Sequence, residues 1–98
     1  MTDRTPVLFR KNRDGEITAV FPTDVADDFG QYMGCYAHVG QHSACSLEWY
    51  RTTQAATPKE YASLKAELES APYEYHLQVY RRMTRKLRKS RKRGVLTS

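Results

Sequence analysis

Beyond Glu74 this 98-residue chain has no acidic side chain, although the residues up to that point carry eleven. Other absences are as informative. No apolar run approaches the roughly 18–20 residues that span a bilayer as a helix, so no membrane span is expected. The first residues, Met1-Thr2-Asp3-Arg4-Thr5-Pro6, lack the basic-then-apolar order of a secretory leader. Only two cysteines occur, Cys35 and Cys45, too few for a disulfide framework. The expected location is therefore the reducing cytoplasm, with both thiols free or on a metal. No Gly-rich phosphate loop, paired-carboxylate site or Ser nucleophile elbow is present, and no enzyme is expected.

What is present divides unevenly by charge. Residues 1–74 carry seven basic and eleven acidic side chains, a balance of −4, and residues 75–98 carry nine basic side chains, a balance of +9. Those nine cations fall within residues 81–93: Arg81, Arg82, Arg85, Lys86, Arg88, Lys89, Arg91, Lys92 and Arg93. Such a run attracts polyanions, and Lys or Arg on phosphate releases condensed counterions. Arginine outnumbers lysine six to three, which suits bidentate phosphate contact. The partner this implies is DNA or RNA. An acidic protein surface is the alternative, and a merely solubilising tail the blandest one.

The sequence divides into a compact domain over 1–80 and a basic segment over 81–98. Val7-Leu8-Phe9-Arg10 and Ile17-Thr18-Ala19-Val20-Phe21 are strand-like and flank Asp14-Gly15, the signal of a hairpin turn. Pro22 has no N–H for a ladder and is expected to end the second strand. Thr23 to Gly30, with Asp24, Asp27 and Asp28, reads as an acidic loop or short helical turn. With Glu48 these could gather Mg²⁺, but a solvated loop is the simpler reading. Tyr32 to Val39 is a possible strand and Gly40-Gln41-His42-Ser43 a turn. Leu47, Trp49 and Arg51 alternate with Ser46, Glu48 and Tyr50, which predicts a half-buried strand over 46–53.

Thr57-Pro58-Lys59-Glu60 is a helix start: a threonine cap, a proline where no N–H is needed, and a glutamate to close a capping box. Tyr61, Leu64 and Leu68 give that helix, over about 58–70, one apolar face. Tyr73, Tyr75, Leu77 and Val79 alternate again and predict a last strand running to Tyr80. Met83 and Leu87, four apart, would let one or two helical turns dock, the remainder being a frayed helix or disordered tail. The fold class is thus α+β: a small antiparallel sheet of four or five strands, one main helix packed on it, and a basic C-terminal helix or tail. The expected core is Val7, Phe9, Ile17, Ala19, Phe21, Leu47, Trp49, Tyr61, Leu64, Leu68, Leu77 and Val79.

Two further features could carry chemistry. Aromatic side chains exposed on a sheet can stack on bases, and Tyr80, beside Arg81 and out of phase with Tyr75, is the best placed; core packing is the alternative use of these rings. Cys35, His38, His42 and Cys45 place four potential zinc ligands within eleven residues. Structural zinc sites usually separate two ligand pairs more widely, and in an extended strand Cys35 and His38 would face opposite ways. The alternative is a turn containing His, with both cysteines as small apolar residues. A Cys near a His could act as a nucleophile, but no third group is placed to orient it.

Several stretches resemble a family of small uncharacterised bacterial proteins often associated with mobile elements. They are Phe9-Arg10-Lys11, Gly15-Glu16-Ile17, Phe21-Pro22, Tyr36-Ala37-His38-Val39-Gly40-Gln41-His42 and Thr57-Pro58-Lys59-Glu60-Tyr61-Ala62, followed by a Leu77-Gln78-Val79 strand entering a basic end. The resemblance covers most of the chain. It implies a cytoplasmic domain in a mobile-element context and brings no assigned activity. Three functional expectations stand: a non-enzymatic nucleic-acid binder, a protein-binding modulator or inhibitor of a host machine, and a small zinc-binding domain.

Overall fold

The expected hairpin is the centre of the sheet. In the computed structural model, which describes residues 4–25, 32–37, 42–84 and 87 (Val25 and His42 by backbone alone), β1 is Thr5–Lys11 and β2 is Ile17–Val25. They pair antiparallel, Leu8 opposite Val20 and Lys11 opposite Ile17. At the turn Gly15 has φ +85°, a conformation open to residues without a Cβ. Asn12 holds the turn as well, its Oδ1 accepting from the backbone N–H of Asp14 and of Glu16, both at 2.9 Å.

Contrary to expectation, β2 continues through Pro22. The ladder to β3 (Tyr32–Tyr36) then shifts register between Phe21 and Val25, as a residue without a donor requires. β4 (His42–Ser46) pairs antiparallel with β3, so His42 and Ser43 begin a strand where a turn was expected. Residues 26–31, including Asp27 and Asp28, lie outside the described residues.

A second departure follows at once. Leu47–Arg51 is a short helix, α1, where alternation predicted a strand. Ser46 caps it by accepting from Trp49 N at 3.0 Å, and the hydroxyls of Thr52 and Thr53 close its other end on the carbonyls of Trp49 and Tyr50. The two-residue β5 (Gln54–Ala55) leads into α2, Pro58–Glu69, which has the full expected capping box: Thr57 Oγ1 accepts from Glu60 N, and Glu60 accepts from Thr57 N. A turn through the cis Ala71–Pro72 bond delivers β6, Leu77–Tyr80.

The sheet order is β4-β3-β2-β1-β5, with β6 also on β1. The outer edge of β1 is therefore shared. β6 takes its first half, Thr5 opposite Leu77 through Leu8 opposite Tyr80, and β5 takes Arg10 and Lys11. All pairings are antiparallel except β1 with β6, which is parallel.

Because side chains alternate across a strand, each face of this sheet has its own apolar cluster. One face carries Val7, Phe9, Ala19, Phe21, Tyr36 and Leu77 beneath Leu64 and Leu68 of α2. Most of the expected core is here, with Ile17, Tyr61 and Val79 at its margin. Tyr36, completely buried, was not expected; its hydroxyl donates to Glu67 of α2 and so ties the helix to β3. The other face carries Leu8, Val20, Met33, Cys35 and Cys45, with Leu47, Trp49, Tyr50, Tyr80 and Met83 packed against them. Leu47 and Trp49 thus belong to this second cluster rather than to the core under α2.

Candidate functional site

The basic segment leaves β6 from a fixed point, and the residue that fixes it is Arg10. On β1 its side chain shares the face of Leu8, where it is buried to 8% exposure. Its Nε donates to Thr53 Oγ1 at 2.9 Å, one Nη to Thr53 O at 2.7 Å, and the other to Arg81 O at 3.3 Å. The guanidinium lies over the Tyr50 ring, 4.3 Å from its centroid. A planar cation with several donors is suited to this combination of stacking and carbonyl contact. Tyr50 in turn accepts from Met83 N through its hydroxyl, at 2.9 Å. One node therefore joins β1, the end of α1 and residues 81–83.

The sequence pattern set Arg10 in one strand and Tyr50 in another, and gave neither of them, nor Thr53, a part in holding the basic segment. One signal was available: Val7-Leu8-Phe9-Arg10 is buried on both faces of β1, so a cation there must find partners inside the protein.

Downstream of this node Arg81 and Arg82 are exposed, Met83 and Thr84 are half-buried, and Leu87 is buried at 3% exposure. The backbone N–H of Leu87 donates to Thr84 Oγ1 at 3.2 Å. Met83 docks on the second sheet face, opposite the one that α2 covers. Arg85, Lys86, Arg88, Lys89, Arg91, Lys92 and Arg93 lie outside the described residues. Tyr80 faces away from Tyr75, as its phase requires, but is half-buried against the second cluster rather than exposed. Tyr75 and Tyr73 pack as well. Tyr75 stacks on Phe21 with centroids 5.4 Å apart, and Tyr73 meets Tyr36 edge-on at 5.2 Å.

Of the four candidate zinc ligands, the sheet brings two together. Cys35 pairs with Ser43 in the ladder, so Cys45, two residues along β4, is its diagonal neighbour on the same face; both thiols are free and buried. His38 and the side chain of His42 lie outside the described residues. Among the described residues no group of three or more His, Cys, Asp or Glu side chains is placed to hold a metal. The two thiols have diverging proton affinities. A hydrogen bond from Cys45, with a smaller one from Ser43, lowers Cys35 to about 6 against the cost of burial. Sharing that bond, burial and the neighbouring negative charge push Cys45 upward.

Two cavities adjoin these features. One, about 340 Å³, opens beside Cys35 and is lined also by Thr5, Phe21, Asp24, Gly34 and Ser43. The other, about 260 Å³, lies where α2 begins and β6 ends, with Phe9, Ala55, Tyr61, Val79 and Arg81 in its wall. Among the described residues no helix is long and apolar enough to cross a membrane. Comparison with protein-family models, curated proteins and solved structures finds no match to this chain. Fold and site together define a small α+β protein whose basic segment is pinned to its sheet by a buried arginine.

Proposed function

We propose that the chain is a non-enzymatic binding protein that contacts nucleic-acid phosphates through its basic C-terminal segment. One observation carries this reading: nine cations and no acid within residues 81–93. The positions of Arg81 and Arg82 support it, since both are exposed just beyond the Arg10 node. A segment anchored at its root loses less freedom on binding than a free tail, so more of its electrostatic attraction is retained as affinity. Phosphate contacts of this kind position a protein without reading sequence, so similar affinity for unrelated sequences is expected.

The test is a salt titration of binding to labelled oligonucleotides, read by fluorescence anisotropy. Between roughly 50 and 200 mM salt, log K should fall linearly with log salt, and engagement of all nine cations with duplex DNA would give a slope near −8. The informative variant replaces the nine basic residues by Gln and keeps Met83, which packs on the sheet, and Leu87, which is buried. Loss of binding with an unchanged melting transition supports the reading. Undiminished binding by the variant overturns it. Failure to bind any nucleic acid, together with capture of one defined protein that survives nuclease treatment, would transfer the segment to an acidic protein surface.

A further inference from the structure

We propose that the cavity between the start of α2 and the end of β6 receives one unpaired nucleobase, making single-stranded nucleic acid the ligand of the basic segment. This rests on the phosphate-binding reading above and adds a site to it. The cavity follows from the way β1 shares its outer edge. β6 pairs as far as Leu8 and β5 pairs from Arg10 onward, which leaves Phe9 at the seam, its carbonyl accepting from Ala56 N at 2.9 Å. The two strands part there, and the small side chains of Ala55 and Ala56 leave the space between them open. Tyr61 supplies an aromatic wall held in one orientation, since its ring stacks on Phe9 with centroids 4.4 Å apart and planes 14° from parallel.

Size and charge decide the occupant. About 260 Å³ lies just below the range of drug-sized ligand pockets (roughly 300–1,000 Å³), which suits a single planar heterocycle; a base inside a duplex would have to leave its stack to enter such a recess. The lining includes one cation, Arg81, and no carboxylate. The nearby N-terminus of α2 is not where a phosphate would sit, because Glu60 already accepts from Thr57 N there and is itself bound by Lys11 at 2.6 Å. An incoming strand would therefore place its base against Tyr61 and its phosphates on Arg81 and Arg82. The backbone of Arg81 is held by Arg10, so the cationic rim keeps its place beside the aromatic wall. Aromatic walls beside cationic tracks are a general means of holding unpaired bases without reading sequence.

The experiment uses the full chain with three probes of equal length: an oligothymidylate, a strand with the same backbone but abasic throughout, and a duplex. Stacking of one base on an aromatic ring corresponds to roughly ten-fold in affinity, so the base-bearing strand should bind about ten-fold more tightly than the abasic one. Ala55→Leu, which narrows the cavity without adding a ring, and Tyr61→Leu, which removes the ring the base is placed against while Phe9 and Tyr80 remain in the lining, should each bring the base-bearing strand down to the abasic level. The second variant decides the matter if the first fails to fold. Equal wild-type affinity for base-bearing and abasic strands overturns the base site and leaves the phosphate reading standing. So does a preference that survives Tyr61→Leu. Absence of binding to all three probes overturns both.

Discussion

Cys35 and Cys45 illustrate how much of a residue's chemistry depends on its neighbour across the strand. An isolated buried thiol would be pushed upward, yet hydrogen bonds from Cys45 and Ser43 favour the Cys35 thiolate strongly enough to bring it to about 6. Iodoacetamide labelling of Cys35, followed by mass spectrometry across pH, should have its midpoint near that value. Cys45→Ala removes the largest stabilising hydrogen bond and should move the midpoint up toward the ordinary thiol range; Ser43→Ala should move it less. An unmoved midpoint in Cys45→Ala would refute the pairing. The linkage has a definite sign. A thiol lowered on folding contributes stability that is present above its unfolded value and is lost as pH falls through about 6. Cys45, raised on folding, contributes in the opposite sense, and its share is lost as pH rises beyond the ordinary thiol range. The sequence brought these cysteines forward as zinc ligands with His38 and His42. That pattern could not reveal that β3 and β4 set the two thiols diagonally on one buried face.

At the scale of elements, α2 was legible almost to the residue because its signals are local. A cap, a proline at the first turn and a reciprocal glutamate lie within four positions, and no distant contact is needed to interpret them. Thr57→Ala should lower unfolding free energy by about 1 kcal/mol in urea denaturation. A change near zero would mean that packing of Leu64 and Leu68 alone holds the helix. By contrast, α1 was read as a strand because Leu47, Trp49 and Arg51 alternate. The structure shows Leu47, Trp49 and Tyr50 all against one cluster. In a strand Trp49 and Tyr50 would face opposite sides, but a helical turn lets both share one. The local hint was Ser46, whose hydroxyl accepts from Trp49 N, with Glu48 in the first turn. Five residues are too few for a periodicity to establish itself against that alternation.

The whole molecule gives its C-terminal segment two tasks that composition alone would separate. The sheet has two apolar faces, and α2 covers one. The other is covered by α1, Tyr80 and Met83, with Leu87 buried further along the same segment. Met83 and Leu87, which lie between cations, are thus part of the folded structure. Leu87→Ala should cost about 2–5 kcal/mol in urea denaturation, the range for large-to-small substitutions at buried sites. Equal stability of Leu87→Ala and wild type would show that Leu87 contributes little to the core. A deletion of everything past Tyr80 would mix lost charge with lost packing, which is why neutralisation of the cations is the cleaner functional test. By itself the sequence determined the hairpin, α2, most of the core beneath it and the charge asymmetry, since each depends on neighbours a few residues apart or on composition. Only the tertiary structure decided that β6 runs parallel to β1, that Arg10 holds Arg81 from 71 positions away, and that a cavity opens where two strands share one edge. Those depend on which distant segments meet, and meeting is settled by burial of both faces of the sheet at once, a condition no local pattern records.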